Sequence, residues 1–289
     1  MDVVTVGDVM LDVRVEAEAL EEGGDVHGRV HVRPGGSAAN AAVWAANAGA
    51  RTRVYGRVGT DTAGALIRDE LMRRGVEPAL ALDPEAETGT MLVVHEPGER
   101  SMVADRGANG RLSPEDLPAS IEAAAVLVSG YALLFEPTTA AAWAALDRAR
   151  ARFVGVDAAS WPLVRDFGVD RFFEVAAPAN ILFANHREAE VLSGRRGDEA
   201  LDALADRFPV VCVKLGNEGA AMSWEGLEIR FSGEAVQERD PTGAGDAFDG
   251  VLLAHLAAGR SPGDALHAAC RAGAQVAASA ESWPEATPA

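Results

Sequence analysis

The sequence predicts an α/β protein of three layers, α/β/α, in which helices cover both faces of a mostly parallel central sheet that also carries a small inserted β lid. Three observations predict it. Short β-rich apolar runs alternate with alanine-rich helical runs, as a sheet with crossover helices requires. The later apolar runs are almost continuous, the pattern of parallel strands buried on both sides. Two stretches, 13–33 and 88–104, interrupt that rhythm with alternating apolar and polar residues.

In chain order, strands are expected over 3–6, 53–55, 125–129, 153–157, 181–184 and 210–214. Helices are expected near 39–48, 63–74, 138–151, 187–192 and 201–207. A further helix opens at Gly243 and runs through 251–258, with Gly259 as its C′ residue and Pro262 as a stop. The two alternating stretches read as antiparallel strand pairs standing off the main sheet, the second around a turn at Pro97-Gly98-Glu99. Residues 1–289 therefore form one domain with the lid inside it, and the tail from 283 to 289 looks frayed.

Composition bounds the function. A net charge of −18 argues against nucleic acid or a membrane surface as partner, because either would want a basic patch. An anionic ligand must then be met by local groups. Arginine supplies nearly all positive charge, and Lys214 is the only lysine. Cys212 and Cys270 are too few for a disulfide framework or zinc site and read as buried free thiols. The six histidines lack metal-ligand spacing. No apolar run reaches membrane-span length, and the opening run is too short and acidic for a signal peptide, so a cytoplasmic location is expected.

The most informative segment is Asp240-Pro241-Thr242-Gly243-Ala244-Gly245-Asp246. Small residues at a helix start let an anion approach first-turn N–H groups that lack intrahelical partners, with the macrodipole adding positive potential. Asp246 does not belong in a pure anion cradle. It makes sense there if it takes a proton from an attacking hydroxyl. The bland alternative is a glycine-rich turn whose Asp246 favours the helix dipole.

Other segments are each open to two readings. Gly35-Gly36 with Asn40 allows close ligand approach and hydroxyl recognition, or reflects tight helix–sheet packing. Asp8 and Asp12 follow the first strand, where parallel sheets place their ligand crevice, or are turn carboxylates. Asn185 and Glu188 form a capping box, or organise hydrated magnesium. Lys214-Leu215-Gly216 and Gly219 let nucleotide approach the backbone, or make a hairpin. Neither a Walker-A loop nor a dinucleotide fingerprint fits: Val213 precedes the lysine, and the glycines near Asp246 are wrongly spaced.

Taken in order, these motifs resemble the ribokinase-like, or PfkB, family of carbohydrate kinases over essentially the whole chain. The resemblance implies that Asp246 is the catalytic base and that Gly243, Ala244 and Gly245 complete the anion hole. It makes Asp12, Gly36, Asn40 and Asn109 sugar contacts. It places Asn185 and Glu188 with phosphate and magnesium, the latter through water, and sets Lys214, Gly216 and Gly219 beside the nucleotide. Asp240 resembles a monovalent-cation contact, so K+ joins ATP and Mg2+ as an expected cofactor. Departures are Val251 after Gly250, where a small residue is usual, and the added charge of Asp249.

The expected activity is ATP-dependent phosphorylation of a hydroxyl on a small sugar or sugar acid, of the ribose, fructose or 2-keto-3-deoxygluconate kind. Arg106 is a candidate partner for a substrate carboxylate, or a surface salt bridge. The alternatives are a nucleoside kinase, disfavoured by the lack of aromatics in the lid stretches, and a non-catalytic sugar- or nucleotide-sensing module. Unpaired lid strands invite a homodimer.

Overall fold

The computed structural model describes residues 1–17, 23–96, 99–233, 236–279 and 281–284. Among them, nine strands form the central sheet. Its order is Leu227–Ser232, Gly219–Trp224, Val210–Lys214, Ile181–Asn185, Phe153–Asp157, Ala125–Val128, Val3–Val6, Thr52–Gly59 and Val76–Asp83. Pairing is parallel from Val210–Lys214 to Val76–Asp83, and antiparallel in the hairpin that adds the first two.

Strand residues alternate between two cores. Val4, Val126, Val154, Leu182 and Val211 face one; Val3, Leu127, Phe153, Phe183 and Cys212 face the other. The first core is closed by helices that include Thr139–Arg148, Val169–Ala176 and Asp198–Ala205, through Leu146, Phe172 and Leu204. The second is closed by Ser37–Asn47, Ala244–Ala257 and Pro262–Ala277, through Ala41, Leu252 and Leu266. Both faces of the sheet are thus dry, which is why its central strands tolerate continuous apolar sequence.

The lid is one four-stranded sheet in the order Arg29–Gly35, Met10–Glu16, Thr90–Glu96, Glu99–Asp105. Two antiparallel pairs join through parallel pairing of Met10–Glu16 with Thr90–Glu96. Asp12 therefore lies in a lid strand rather than in a turn after the first strand, and the first lid segment spans 10–16 and 29–35 rather than 13–33. Residues 18–22 of that segment, and Pro97-Gly98 of the expected turn, lie outside the described residues.

Several expectations need correction. Strand Val76–Asp83 was hidden by Pro78, which an edge strand accommodates because no ladder needs its missing N–H. The helix expected over 138–151 stops at Arg148, and Ala149–Arg150 pairs with Ile121–Glu122. Helices Trp161–Phe167 and Val169–Ala176 were not expected. The helix Ala244–Ala257 ends ahead of Gly259 and Pro262 as expected, but Pro262 is also the first residue of an unexpected helix, Pro262–Ala277, behind a Ser261 N-cap that accepts from the Asp264 N–H. Trp283 is not frayed but 8% exposed, packed beside the helix Ser37–Asn47, while 285–289 lie outside the described residues.

Candidate active site

The helix Ala244–Ala257 starts after Gly243, whose φ of +85° places it in the left-handed region. A Cβ added there would come within 3.1 Å of Ser282 Cβ, so the turn needs glycine for conformation and for room. The Ala244 N–H donates to Pro241 O, so of the four residues expected in the anion hole this one's amide already has a partner. A Cβ on Gly245 would meet Lys214 Nζ at 3.2 Å. An ammonium group therefore lies against the first turn of the helix. One turn on, a Cβ on Gly250 would strike Ala41 O at 2.2 Å, so the helices Ala244–Ala257 and Ser37–Asn47 cross in close contact there despite Val251.

That crossing sets Asn40 beside Asp246. The Asn40 amide Nδ2 donates to Asp246 Oδ2 at 2.8 Å. Burial pushes the Asp246 carboxyl up to about 7; the Asn40 hydrogen bond opposes this, and the charge of Asp157 adds to it. Below the turn, Lys214 Nζ donates to Asp157 Oδ2 at 2.7 Å and lies 3.1 Å from Asp249 Oδ1. Burial draws the ammonium down, but the Asp157 and Asp249 carboxylates outweigh it and hold Lys214 above its usual range. Burial likewise raises Asp249 well above a normal carboxylate.

The opposite wall is made by Asp8, Arg106 and Asn109. Arg106 forms a two-pronged pair with Asp8, at 2.8 and 3.3 Å, and its guanidinium stacks 4.4 Å from the Phe135 ring centroid. It is neither a surface salt bridge nor an unengaged cation. Burial raises Asp8, and Arg106 pulls it back. Asn109 is 2% exposed; its Oδ1 accepts the Val9 N–H at 3.0 Å, while its Nδ2 is buried without a partner. Asp12 closes the wall from the lid. A Cβ on Gly35 would come 2.3 Å from Asp12 Oδ2, and one on Gly36 would come 2.4 Å from Asp8 O. Gly36, at φ +94°, is thus required by the approach of the Asp8 backbone, and Gly35 leaves the room that the Asp12 carboxylate takes. Burial pushes Asp12 to about 6 against the pull of Arg14.

On the remaining side, Asn185 and Glu188 form the capping box of helix His186–Ser193. Asn185 Oδ1 accepts the N–H groups of Arg187 and Glu188, at 2.9 and 3.0 Å, and Glu188 accepts the Asn185 N–H at 2.7 Å. Asn185 is therefore a capping residue. Glu188 is 3% exposed, and burial, reinforced by the charge of Asp157, pushes it to about 7. Gly216, at φ +63°, has open space where a Cβ would stand. Gly219 is demanded by the hairpin, since a Cβ would lie 2.0 Å from Phe231 O.

The residues present fit hydrated magnesium. Asp157, Glu188, Asp246 and Asp249 surround one ammonium, an excess of acid that a divalent ion would relieve. Among the described residues no trio of His, Cys, Asp or Glu is arranged to ligate a metal directly. Asp240, expected as a monovalent-cation contact, is paired with Arg14. Its Oδ2 lies 3.0 Å from Arg14 Nη1, and its Oδ1 accepts the Thr242 N–H at 2.9 Å, so a guanidinium already supplies the charge.

Three site residues escaped the sequence reading. Asp157 ends a strand that was recognised, and its position at the carboxyl edge was the available signal. Tyr131 follows Ser129, which caps Gly130–Leu134; burial raises its phenol, and the charges of Asp246, Asp157, Glu188 and Asp8 add to that. Trp283 donates its indole N–H to Asn40 Oδ1 at 2.7 Å. Nothing local in Glu281-Ser282-Trp283-Pro284 signals that contact.

Among the described residues no helix is long and apolar enough to cross a membrane. The chain is 31% identical over 266 residues to a fructokinase of Escherichia coli, covering 86% of this chain and 82% of the relative. It is 31% identical over 264 residues to a 2-dehydro-3-deoxygluconokinase of Thermoproteus tenax, covering 83% and 78%. The crystal structure of adenosine kinase from Sinorhizobium meliloti superposes with a TM-score of 0.88 at 25% identity, covering 98% of this chain and 96% of that one. The family model described as pfkB family carbohydrate kinase matches residues 1–284, and the chain belongs to that family.

Proposed function

We propose that the protein is an ATP-dependent sugar kinase in which Asp246 is the general base. The observation that carries this reading is the placement of a carboxyl raised to about 7 on the first turn of a helix, beside the Gly245 backbone and the Lys214 ammonium. A carboxyl titrating near neutrality balances being ionised against driving proton transfer. Asp246 accepts the proton of the attacking hydroxyl while Asn40 holds the carboxylate's other edge. The amides of Gly243, Gly245 and Asp246, with Lys214, stabilise charge on the transferring phosphoryl group. Magnesium, when bound with the nucleotide, would neutralise the phosphates, and Glu188 and Asp157 are the carboxylates suited to hold its waters. Gly216 leaves room for nucleotide beside the strand end.

Asp12, Gly36, Asn40 and Asn109 form the acceptor wall in this reading, and the unpartnered Nδ2 of Asn109 supports it. We assign Arg106 to setting Asp8 toward acceptor hydroxyls, because a substrate carboxylate would have to displace a buried partner. That favours a neutral sugar over a sugar acid. One observation favours a nucleoside acceptor instead: Phe135, 40% exposed and stacked on Arg106, is an aromatic face on this wall. Asp240 we assign to Arg14 in place of K+. A homodimer through the lid is supported by the exposed Val30, Val32, Met102 and Val103 on its strands.

The test is ADP release with ATP and magnesium over pentoses, hexoses, keto-deoxy acids and nucleosides. Release that depends on one added sugar is expected. Release only with nucleosides would move the acceptor class, and none across the panel would favour a sensing module.

A further inference from the structure

The segment 281–284 crosses the acceptor side of the site and is tied to three elements. Trp44 Nε1–H donates to Ser282 O at 2.8 Å, and Arg14 Nη2 donates to Ser282 Oγ at 2.7 Å. Arg74 donates to Pro284 O and lies 5.7 Å from the centre of the Trp283 ring. Ser282 also packs against Gly243. So anchored, the segment delivers the Trp283 indole to Asn40, the residue that holds Asp246. Both ends of this chain have fixed chemistry. An indole N–H only donates, and a carboxylate only accepts. The Asn40 amide can satisfy both in one orientation alone, with Oδ1 toward Trp283 and Nδ2 toward Asp246.

We infer that Trp283 is a positioning residue for the base: its indole N–H locks the Asn40 amide so that a donor, and not an oxygen, faces Asp246. The inference rests on the reading of Asp246 given above. Without the indole the amide is free to turn, and an amide oxygen facing the carboxyl favours its protonated form. The other groups around Asp246 are Lys214, Asp157, Asp12, Tyr131 and Asp249, and none of them changes when the uncharged indole is replaced.

The experiment compares wild type, Trp283→Phe, Asn40→Ala and the double variant by the pH profile of kcat/KM. Phenylalanine keeps a ring in the same packing and removes only the donor. A hydrogen bond to a charged group corresponds to about one pH unit, so the acid limb of Trp283→Phe should move up by about one. At pH 7 its kcat/KM should fall by about fivefold, and by about tenfold well below that pH. In the Asn40→Ala background the same change should cost less than about twofold, because the relay is already cut. A carbon-13 titration of aspartate carboxyls, with the Asp246 signal identified by its loss in Asp246→Asn, should show the same rise. An unmoved limb and an unmoved Asp246 titration in Trp283→Phe would overturn the inference, as would an undiminished cost in the Asn40→Ala background. Retained turnover in Asp246→Asn would instead overturn the base assignment, and the carbon-13 titration would still decide the role of Trp283.

Discussion

Lys214 Nζ lies 3.1 Å from Asp249 Oδ1, and Asp249 is 1% exposed beneath the turn that opens its helix. Asp157 holds the ammonium from the other side at 2.7 Å. The sole lysine of the sequence thus balances carboxylates that the fold has taken out of water.

Removing that ammonium leaves buried charge without a partner. Lys214→Met is expected to lose about 3–5 kcal/mol of stability, as measured by urea unfolding near neutral pH. The sign of its pH dependence follows. Asp249 has a raised folded-state pKa, so its contribution is fully present below its unfolded value and is lost as pH rises through the folded one. The deficit of Lys214→Met should therefore be larger at pH 8 than at pH 6.

Catalysis should have an acid limb near neutrality. Asp246 works ionised and is raised to about 7, so kcat/KM should climb as pH increases through about 7 and flatten above it. Below that midpoint it should fall by about tenfold per pH unit, or more steeply, because Glu188 also titrates near 7. Glu188→Gln should keep the limb set by Asp246 while raising the magnesium concentration needed for half-maximal turnover.

The Arg14–Asp240 pair predicts indifference to monovalent cations. Turnover in potassium chloride and in tetramethylammonium chloride at equal ionic strength should agree within about twofold. Arg14→Met exposes the Asp240 carboxylate to small cations, and its turnover should rise on adding potassium. A wild-type enzyme inactive without potassium would contradict the assignment of Asp240 to Arg14.

Gly35→Ala probes the lid. Its Cβ would meet Asp12 Oδ2 at 2.3 Å and push that carboxylate from the acceptor wall. The KM for the sugar should rise by about tenfold or more while kcat changes less, the signature of lost uniform binding, measured by initial rates.

Much of this was legible in the amino-acid sequence, for physical reasons. Central strands such as Val210–Lys214 are buried on both faces and can only be apolar, and the lid strands alternate because they have one wet side. The turn at Gly243–Asp246 announces itself because few residues other than glycine fit its backbone and its neighbours. Other features depend on tertiary contact. Val76–Asp83 reads poorly because Pro78 is acceptable only at an edge, and nothing in the segment says that it is one. Asn185 displays its capping geometry locally, whereas Arg106 gives no sign that Asp8, 98 residues away, is its partner. Trp283 is the extreme case. Its partner Asn40 stands 243 residues earlier, and a lone tryptophan among polar residues carries no periodicity to reveal a buried face.

The central claim is that a carboxylate beside main-chain amides removes the proton of an alcohol during phosphoryl transfer. Single-turnover ADP formation by Asp246→Asn, with the sugar that the panel identifies, tests it most directly. The account predicts that sugar and ATP still bind and that the rate falls by about 10²–10⁴-fold. A rate within a few-fold of wild type would contradict it.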